Sequence, residues 1–75
     1  MNAKQRKRLA ELADQLSSIM DELEQMKDEE EEKYDNLPES LQYSEKGDKL
    51  QEGIDALDDA YSYASDACDS LNELL

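Results

Sequence analysis

The residues of this chain that could do chemistry are almost all carboxylates. Its 75 residues include 21 Asp and Glu, two Gly, one Cys and no His. Hydrolytic triads need a base such as His, and phosphate-binding loops need clustered Gly beside a Lys. Di-metal sites in helical bundles use Glu-x-x-His pairs, and one Cys without His does not complete a tetrahedral zinc site. We therefore expect no enzyme activity, no cofactor and no metal site.

The charge balance favours a protein partner. The chain carries 8 Lys and Arg and a net charge of −13 at pH 7. The basic cluster Lys4–Arg8 precedes the first acid, so residues 9–75 carry four cations against 21 carboxylates, a net −17. A body this acidic repels nucleic acid and anionic membranes and is attracted to basic surfaces. We expect a protein partner with a basic surface and no direct binding of nucleic acid.

The basic cluster Lys4–Arg8 needs a compensating partner, because cations at a helix start oppose the helix dipole. We favour charge matching, within a hairpin or across a dimer, with Asp66, Asp69 and Glu73. A nucleic-acid-binding arm and a disordered tail are the alternatives. Four cations without interleaved aromatics favour nucleic acid only weakly.

The segment Asn36–Gly47 organises the chain, since it holds the only Pro and the first of two Gly. Pro38 lacks a backbone N–H and disfavours helical geometry at Leu37, so the first helix must end by about Asn36. Gly47 weakens the start of the second helix. We predict one domain, 1–75, that folds as a hairpin with helix 3–36, turn 37–46 and helix 47–75.

Apolar residues on both sides of this turn alternate at spacings of three and four, which indicates two coiled-coil-like helices. Since a lone hairpin leaves one side of each seam uncovered, the predicted fold is all-α, an antiparallel two-helix coiled-coil hairpin that dimerises into a four-helix bundle. A single-hairpin monomer and a long extended dimer are the structural alternatives. The seam residues are Leu9, Leu12, Leu16, Ile19, Leu23 and Met26, then Leu50, Ile54, Leu57, Tyr61, Ala64, Cys68 and Leu71. Flanking residues that widen the stripe are Ala13, Met20, Lys27 and Tyr34, then Gly53, Ala60, Ala67 and Leu74.

An acidic run, Asp28–Glu32, interrupts the first seam just before the turn. One interpretation is a solvated helix end, and the other is an acidic patch for a basic partner or divalent cations. On the second helix, Tyr63 lies two residues after the seam residue Tyr61 and should be exposed among acids. The candidate partner-binding residues are Asp28, Glu29, Glu30, Glu31, Glu32, Asp55, Asp59, Tyr63 and Asp66.

The segment Tyr34–Gly47, YDNLPESLQYSEKG, and the acidic heptads DKLQEGIDALDDA that follow it resemble a group of small acidic helical proteins. Proteins of this group occur in bacteriophages, prophages and conjugative elements of Firmicutes and Bacteroidetes. They typically combine an acidic helix, a DNLPESLQ-type turn and a closing helix rich in Asp and Glu. The resemblance covers roughly residues 20–75 and implies a mobile-element origin. It assigns no activity and no functional residues.

These properties predict a non-enzymatic phage or mobile-element interaction protein. The main hypothesis is that its acidic surface, acting as a DNA mimic, binds and inhibits a host or defence nucleic-acid-binding protein. The alternative is a structural or assembly factor of a phage or conjugation complex that acts through helix packing. A transcriptional regulator using the basic cluster Lys4–Arg8 is a third possibility. We expect a homodimer that is located in the cytoplasm of the bacterial host cell. We expect no membrane association, since no apolar run approaches the ~20 residues that span a bilayer.

Overall fold

The computed structural model describes residues 1–75, and all of its regular elements are helices. Helix α1 spans Ala3–Asp35, α2 is the single turn Glu39–Gln42, and α3 spans Glu45–Asn72. The two long helices, α1 and α3, run in opposite directions and pack against each other along a rod with Cα dimensions of 58 × 14 × 12 Å. The predicted all-α fold with two long packed helices is confirmed.

Local hydrogen bonds define both ends of α1. The Gln5 backbone N–H donates to Asn2 Oδ1 at 2.8 Å, and the Asn2 backbone N–H donates to Gln5 Oε1 at 3.1 Å. This reciprocal pair is a capping box. At the other end, the Asn36 backbone N–H still donates to the Glu32 carbonyl at 3.0 Å. The helix stops there because Pro38 does not continue it.

Helix α3 begins at Glu45, two residues before the predicted start, and ends at Asn72, three residues before the predicted end. Ser44 has the extended backbone of an N-cap, but its hydroxyl donates to the Leu41 carbonyl and accepts no hydrogen bond from the backbone N–H groups of α3. The carboxylates of Glu45 and Asp48 lie in the first turn, where the helix dipole favours negative charge. This charge favours the earlier start of the helix.

The turn is held by close packing between α2 and the start of α3. A Cβ atom on Gly47 would lie 2.1 Å from the Gln42 carbonyl oxygen and 2.7 Å from the Leu41 carbonyl oxygen, so no larger residue fits without moving the backbone. Gln42 Nε2 donates to the carbonyls of Tyr34 and Leu37, both at 3.3 Å. The Tyr34 carbonyl also accepts from the Leu37 backbone N–H at 3.1 Å, so Gln42 adds a second bond to it and joins α2 to the segment that follows α1.

The core is a thin layer between α1 and α3. Its buried residues are Ala13 and Ile54, each 6% exposed, and the third buried residue of the chain, Gly47, packs against α2. The other contacting residues are half-buried, because each helix has a neighbour on one side only. They include Leu9, Leu12, Leu16, Met20, Leu23, Lys27 and Tyr34 of α1, and Leu50, Leu57, Tyr61, Ala64, Cys68 and Leu71 of α3.

Two residues of the predicted seam, Ile19 and Met26, do not pack into this core. Their exposed fractions are 47% and 51%. Residues seven apart lie on the same side of a helix and form a column. Two columns of α1 face α3, and the third lies at the edge of the contact. The facing columns are the Leu9 column (Leu9, Leu16, Leu23) and the Ala13 column (Ala13, Met20, Lys27, Tyr34), and the edge column is the Leu12 column (Leu12, Ile19, Met26).

Candidate interaction surface

The hairpin has two broad faces, one on each side of the plane through α1 and α3. On one face, Lys27 Nζ lies 2.9 Å from Asp58 Oδ1. On the other, Lys33 and Lys46 line a shallow groove between the two helices. Lys33 is seven residues after Met26, so this second face carries the Leu12 column. The consecutive residues Met26 and Lys27 thus flank the line of contact with α3 from opposite sides.

The first of these faces is the acidic face. Glu24 lines the same groove as Lys27 and Asp58, and residues three, four or seven positions away on each helix continue this surface. Ten of the 21 carboxylates lie there as a result. They are Asp14, Asp21, Glu24, Asp28, Glu31 and Asp35 of α1, and Asp48, Asp55, Asp58 and Asp69 of α3.

The second is the apolar face. Its centre consists of the Leu12 column of α1 and the Gly53 column of α3, which begins seven residues after Lys46. Only Glu22 and Glu29 bring carboxylates to this face, so the charge of the chain is segregated between the two sides. The Gly53 column is Gly53, Ala60, Ala67 and Leu74, and the cations of the face are Arg8, Lys33, Lys46 and Lys49.

Lys27 is the cation at the centre of the acidic face. Its Nζ lies 2.9 Å from Asp58 Oδ1 and 3.7 Å from Glu31 Oε1. The hydrogen bond to Asp58 raises the pKa of Lys27 above its usual value, and the negative charges of Asp58, Glu31 and Asp28 act in the same direction. The sequence pattern marks Lys27 only as a flanking residue and does not indicate Asp58. The sequence signal that could have indicated this pair is the position of Lys27 as a lone cation within an apolar column, because such a cation requires an acidic partner.

The acidic run Asp28–Glu32 does not form a single patch, because five consecutive helical residues cover the whole circumference. Glu30 points toward α3, is half-buried and accepts a hydrogen bond from Lys33 Nζ at 2.8 Å. This bond raises the pKa of Lys33. Asp28 and Glu31 lie on the acidic face, and Glu29 lies on the apolar face. Glu32 lies on the outer edge of α1.

The candidate contact residues of α3 fall into two groups. Tyr63 is 72% exposed and lies in the same column as Lys49, where the apolar face meets the outer edge of the helix. Asp59 and Asp66, four residues before and three after it, are its neighbours on the helix surface. Asp55 lies instead on the acidic face, three residues from Asp58. The structure therefore brings Tyr63, Asp59 and Asp66 together and separates Asp55 from them.

The basic cluster Lys4–Arg8 makes no salt bridge with the end of α3, contrary to the pairing expected within the hairpin. Asp66 and Glu73 lie on the outer edge of α3 and Asp69 lies on the acidic face, so none of these carboxylates points toward α1. The cations that do form salt bridges are Lys27, Lys33 and Lys49. Charge matching across a dimer stays a prediction.

Cys68 packs at the contact between the helices. Its side chain is half-buried, with Sγ 3.9 Å from the Ala13 carbonyl oxygen and 3.7 Å from Asn72 Nδ2. No group of three or more His, Cys, Asp and Glu side chains is arranged to hold a metal ion. None of the helices has the apolar length that crossing a membrane requires.

A scan against protein-family models, a search of curated proteins and a search of solved structures each find no match for this chain. The geometry and charge of the two faces are the features of the molecule that bear on its function.

Proposed function

We propose that this chain is a non-enzymatic interaction protein whose acidic face binds the basic groove of a nucleic-acid-binding protein and keeps DNA out of it. The observation that supports this proposal is the segregation of charge: ten carboxylates on the acidic face against two on the apolar face. A charge that served only solubility would have no need to favour one broad face of the rod over the other.

The spacing of the carboxylates suits an extended basic groove. Asp14, Asp21, Asp28 and Asp35 form a row along α1 whose members are about 10 Å apart, given the rise of 1.5 Å per residue. A second row on α3 runs beside the first, so the face is a rigid double line of negative charge. Duplex DNA carries one charge per ~1.7 Å of axis, and the lower density here predicts competition that is effective at low salt and lost at high salt.

The class of target follows from this chemistry. Nucleases and polymerases have basic grooves that accept a long anion, and blocking such an enzyme of the host or its defences would serve a phage or other mobile element. This origin is an implication of the turn motif within Tyr34–Gly47. The proposal locates the protein in the bacterial cytoplasm, where these enzymes act.

Self-association belongs to the same proposal. A chain of 75 residues buries only about 60% of its unfolded surface, and a lone hairpin leaves Ile19 and Met26 about half exposed. A homodimer of two hairpins would form a four-helix bundle and cover these side chains.

Displacement of DNA tests the proposed function. The immobilised chain is used at low salt to capture nucleic-acid-binding proteins from a bacterial lysate, and each captured protein is then loaded with a fluorescent DNA duplex. Two variants of equal net charge are compared with the wild type as displacing agents. The acidic-face variant carries Asp14→Asn, Asp21→Asn, Asp28→Asn and Asp55→Asn, and the edge control carries Glu11→Gln, Glu32→Gln, Glu52→Gln and Glu73→Gln.

We expect the wild type and the edge control to displace the duplex, and the acidic-face variant to need about tenfold more protein, because four adjacent charges facing the groove are lost. Displacement should disappear as salt is raised. Equal potency of the two variants would show that only net charge matters. The proposal fails if no captured protein releases its duplex.

An assembly factor of a phage or conjugation complex is the second candidate, and the exposed side chains of Ile19 and Met26 favour it. In that role the apolar face would pack on helices of another protein, and the carboxylates would keep the rod soluble. Capture of a partner that persists at high salt would favour this function, since apolar contacts are not screened.

A further inference from the structure

The apolar face is the side through which two copies of this chain could approach. Each copy carries a net charge of −13, so copies repel one another at most orientations. Contact through the acidic faces would bring ten carboxylates against ten. Contact through the apolar faces would bring together two carboxylates and four cations from each copy. Charge therefore selects the apolar face for self-association.

We propose that a second copy of this chain docks on the apolar face about a two-fold axis beside Ile19. In this arrangement α1 packs antiparallel on α1 of the partner, and α3 packs antiparallel on the partner's α3. The inference rests on the self-association in the proposed function and adds its face, topology and register. Both acidic faces then point outward from the bundle and stay free for basic proteins.

The Leu12 column sets the register along α1. An axis beside Ile19 places Ile19 against its own copy and Leu12 against the partner's Met26. A shift by one heptad in one direction would place Met26 against the partner's Gln5. A shift in the other direction would place Leu12 against the partner's Lys33. The axis beside Ile19 is thus the register in which all three apolar side chains of the column meet apolar partners.

Charges at the rim agree with this register. The same axis brings Arg8 within one residue of the level of the partner's Glu29, and Gln15 within one residue of the level of the partner's Glu22. Neither Arg8 nor Glu29 forms a salt bridge within its own chain. Complementary rim charges contribute mainly to orientation and specificity, which is the role required here.

Helix α3 indicates the same axis independently. Cys68 contacts Ala13 and Asp58 contacts Lys27, so the level of Ile19 along the rod corresponds to a point on α3 between these two contacts, near residue 64. The Gly53 column is symmetric about residues 63 and 64, because its four members lie at equal distances on either side of that point. The patterns of the two helices therefore share one centre.

Around this centre, Ala60 faces the partner's Ala67 and Gly53 faces the partner's Leu74. Small side chains at such positions let two helices approach closely. The broad side of the rod that carries the apolar face measures about 58 by 14 Å between Cα atoms, so its outline is of the order of the ~800 Å² that each partner contributes to a stable interface. A second copy docked along its whole length therefore has room for an interface of ordinary size.

Disulfide cross-linking tests the axis. In a Cys68→Ala background, Ile19→Cys places one thiol on the apolar face and Ser17→Cys places one on the acidic side of the same helix. An axis beside position 19 brings the two Cβ atoms near the ~4 Å that a disulfide requires. We expect Ile19→Cys to give covalent dimers on mild oxidation at least tenfold faster than Ser17→Cys. Equal rates, or a faster rate for Ser17→Cys, would overturn the proposed face.

A charge swap tests the register. Arg8→Glu alone and Glu29→Arg alone should each raise the dimer dissociation constant several-fold in sedimentation equilibrium, and the double variant should restore it. An unchanged dissociation constant in both single variants, or no restoration in the double variant, would overturn the register. The proposed face is tested separately, by the cross-linking experiment.

Ile19→Lys provides a monomeric variant. It should raise the dissociation constant at least tenfold, whereas Gln25→Lys, an equal charge change on the outer edge of α1, should not. Circular dichroism verifies that both variants keep their helices. A wild type that stays monomeric would overturn this inference, and displacement of DNA by that monomer would still support the acidic-face proposal. The two proposals thus fail separately.

Discussion

Lys27 and Asp58 form the only salt bridge that joins α1 to α3, with 2.9 Å between Nζ and Oδ1. The pair lies at the middle of the acidic face, where carboxylates of both helices come close together. Without the ammonium group, Glu24, Glu31 and Asp58 would repel one another across the groove. Lys27 thus links the packing of the rod to the charge that the rod presents.

Lys27→Met should lower the melting temperature by an amount that depends on pH. The hydrogen bond to Asp58 raises the pKa of Lys27 above its usual value of 10.5, so the stabilisation is fully present below pH 10.5 and is lost as the pH rises through the raised pKa. In thermal unfolding followed by circular dichroism, the difference from wild type should be constant near neutral pH and shrink above about 10.5. Lys49→Met, which removes an equal charge from the exposed pair with Glu45, is the control. A difference that persists at higher pH would contradict the role of the pair.

Gly47→Ala and Gly53→Ala should change stability in opposite directions. The added methyl group at Gly47 meets the Gln42 carbonyl oxygen at 2.1 Å, and overpacking of this kind costs about 1–3 kcal/mol. At Gly53 a Cβ atom meets nothing within 4 Å, so Ala should stabilise the helix of the monomer by about 0.5–1 kcal/mol. Urea unfolding at low protein concentration measures both. Equal stability of Gly47→Ala and wild type would show that the turn has room to relax.

Ile54→Ala should destabilise the hairpin severely. Ile54 is 6% exposed and is the one large buried side chain, and such truncations cost about 2–5 kcal/mol. A domain of 75 residues has about 4–11 kcal/mol of total stability, so this loss is a large part of it. Ile19→Ala, at a 47% exposed position, should cost the monomer less than about 0.5 kcal/mol. Similar losses for the two variants at low concentration would contradict the observed packing.

Gln42→Ala should loosen the junction of α1 and α2. The variant loses the hydrogen bonds from Nε2 to the carbonyls of Tyr34 and Leu37, at a net cost of about 1 kcal/mol. Gln51→Ala removes an exposed bond to Asp55 within α3 and serves as the control. Hydrogen exchange should accelerate at the end of α1 in the first variant alone. Equal exchange in both variants would mean that Gln42 does not hold the turn.

Much of the hairpin was predictable from local pattern. Pro38 interrupts two heptad repeats, and a chain with two such repeats and one break folds back on itself. The helix ends differ from the predicted bounds at Glu45 and Asn72, because capping and first-turn charge act over single residues. The exposure of Tyr63 also followed from its spacing relative to Tyr61. None of these features requires knowledge of how the helices face each other.

The segregation of charge was not predictable, although every carboxylate is visible in the sequence. Helix α1 has three apolar columns, and one neighbouring helix covers only two of them, so periodicity does not decide which column stays outside. Close contact of Ala13 with Cys68, together with the pairing of Lys27 and Asp58, turns the Leu12 column to one side and the carboxylates to the other. The sequence by itself determined the helices and the turn, since these depend on local propensity. Only the tertiary structure decided the two faces, because that choice depends on contacts between residues far apart in the chain.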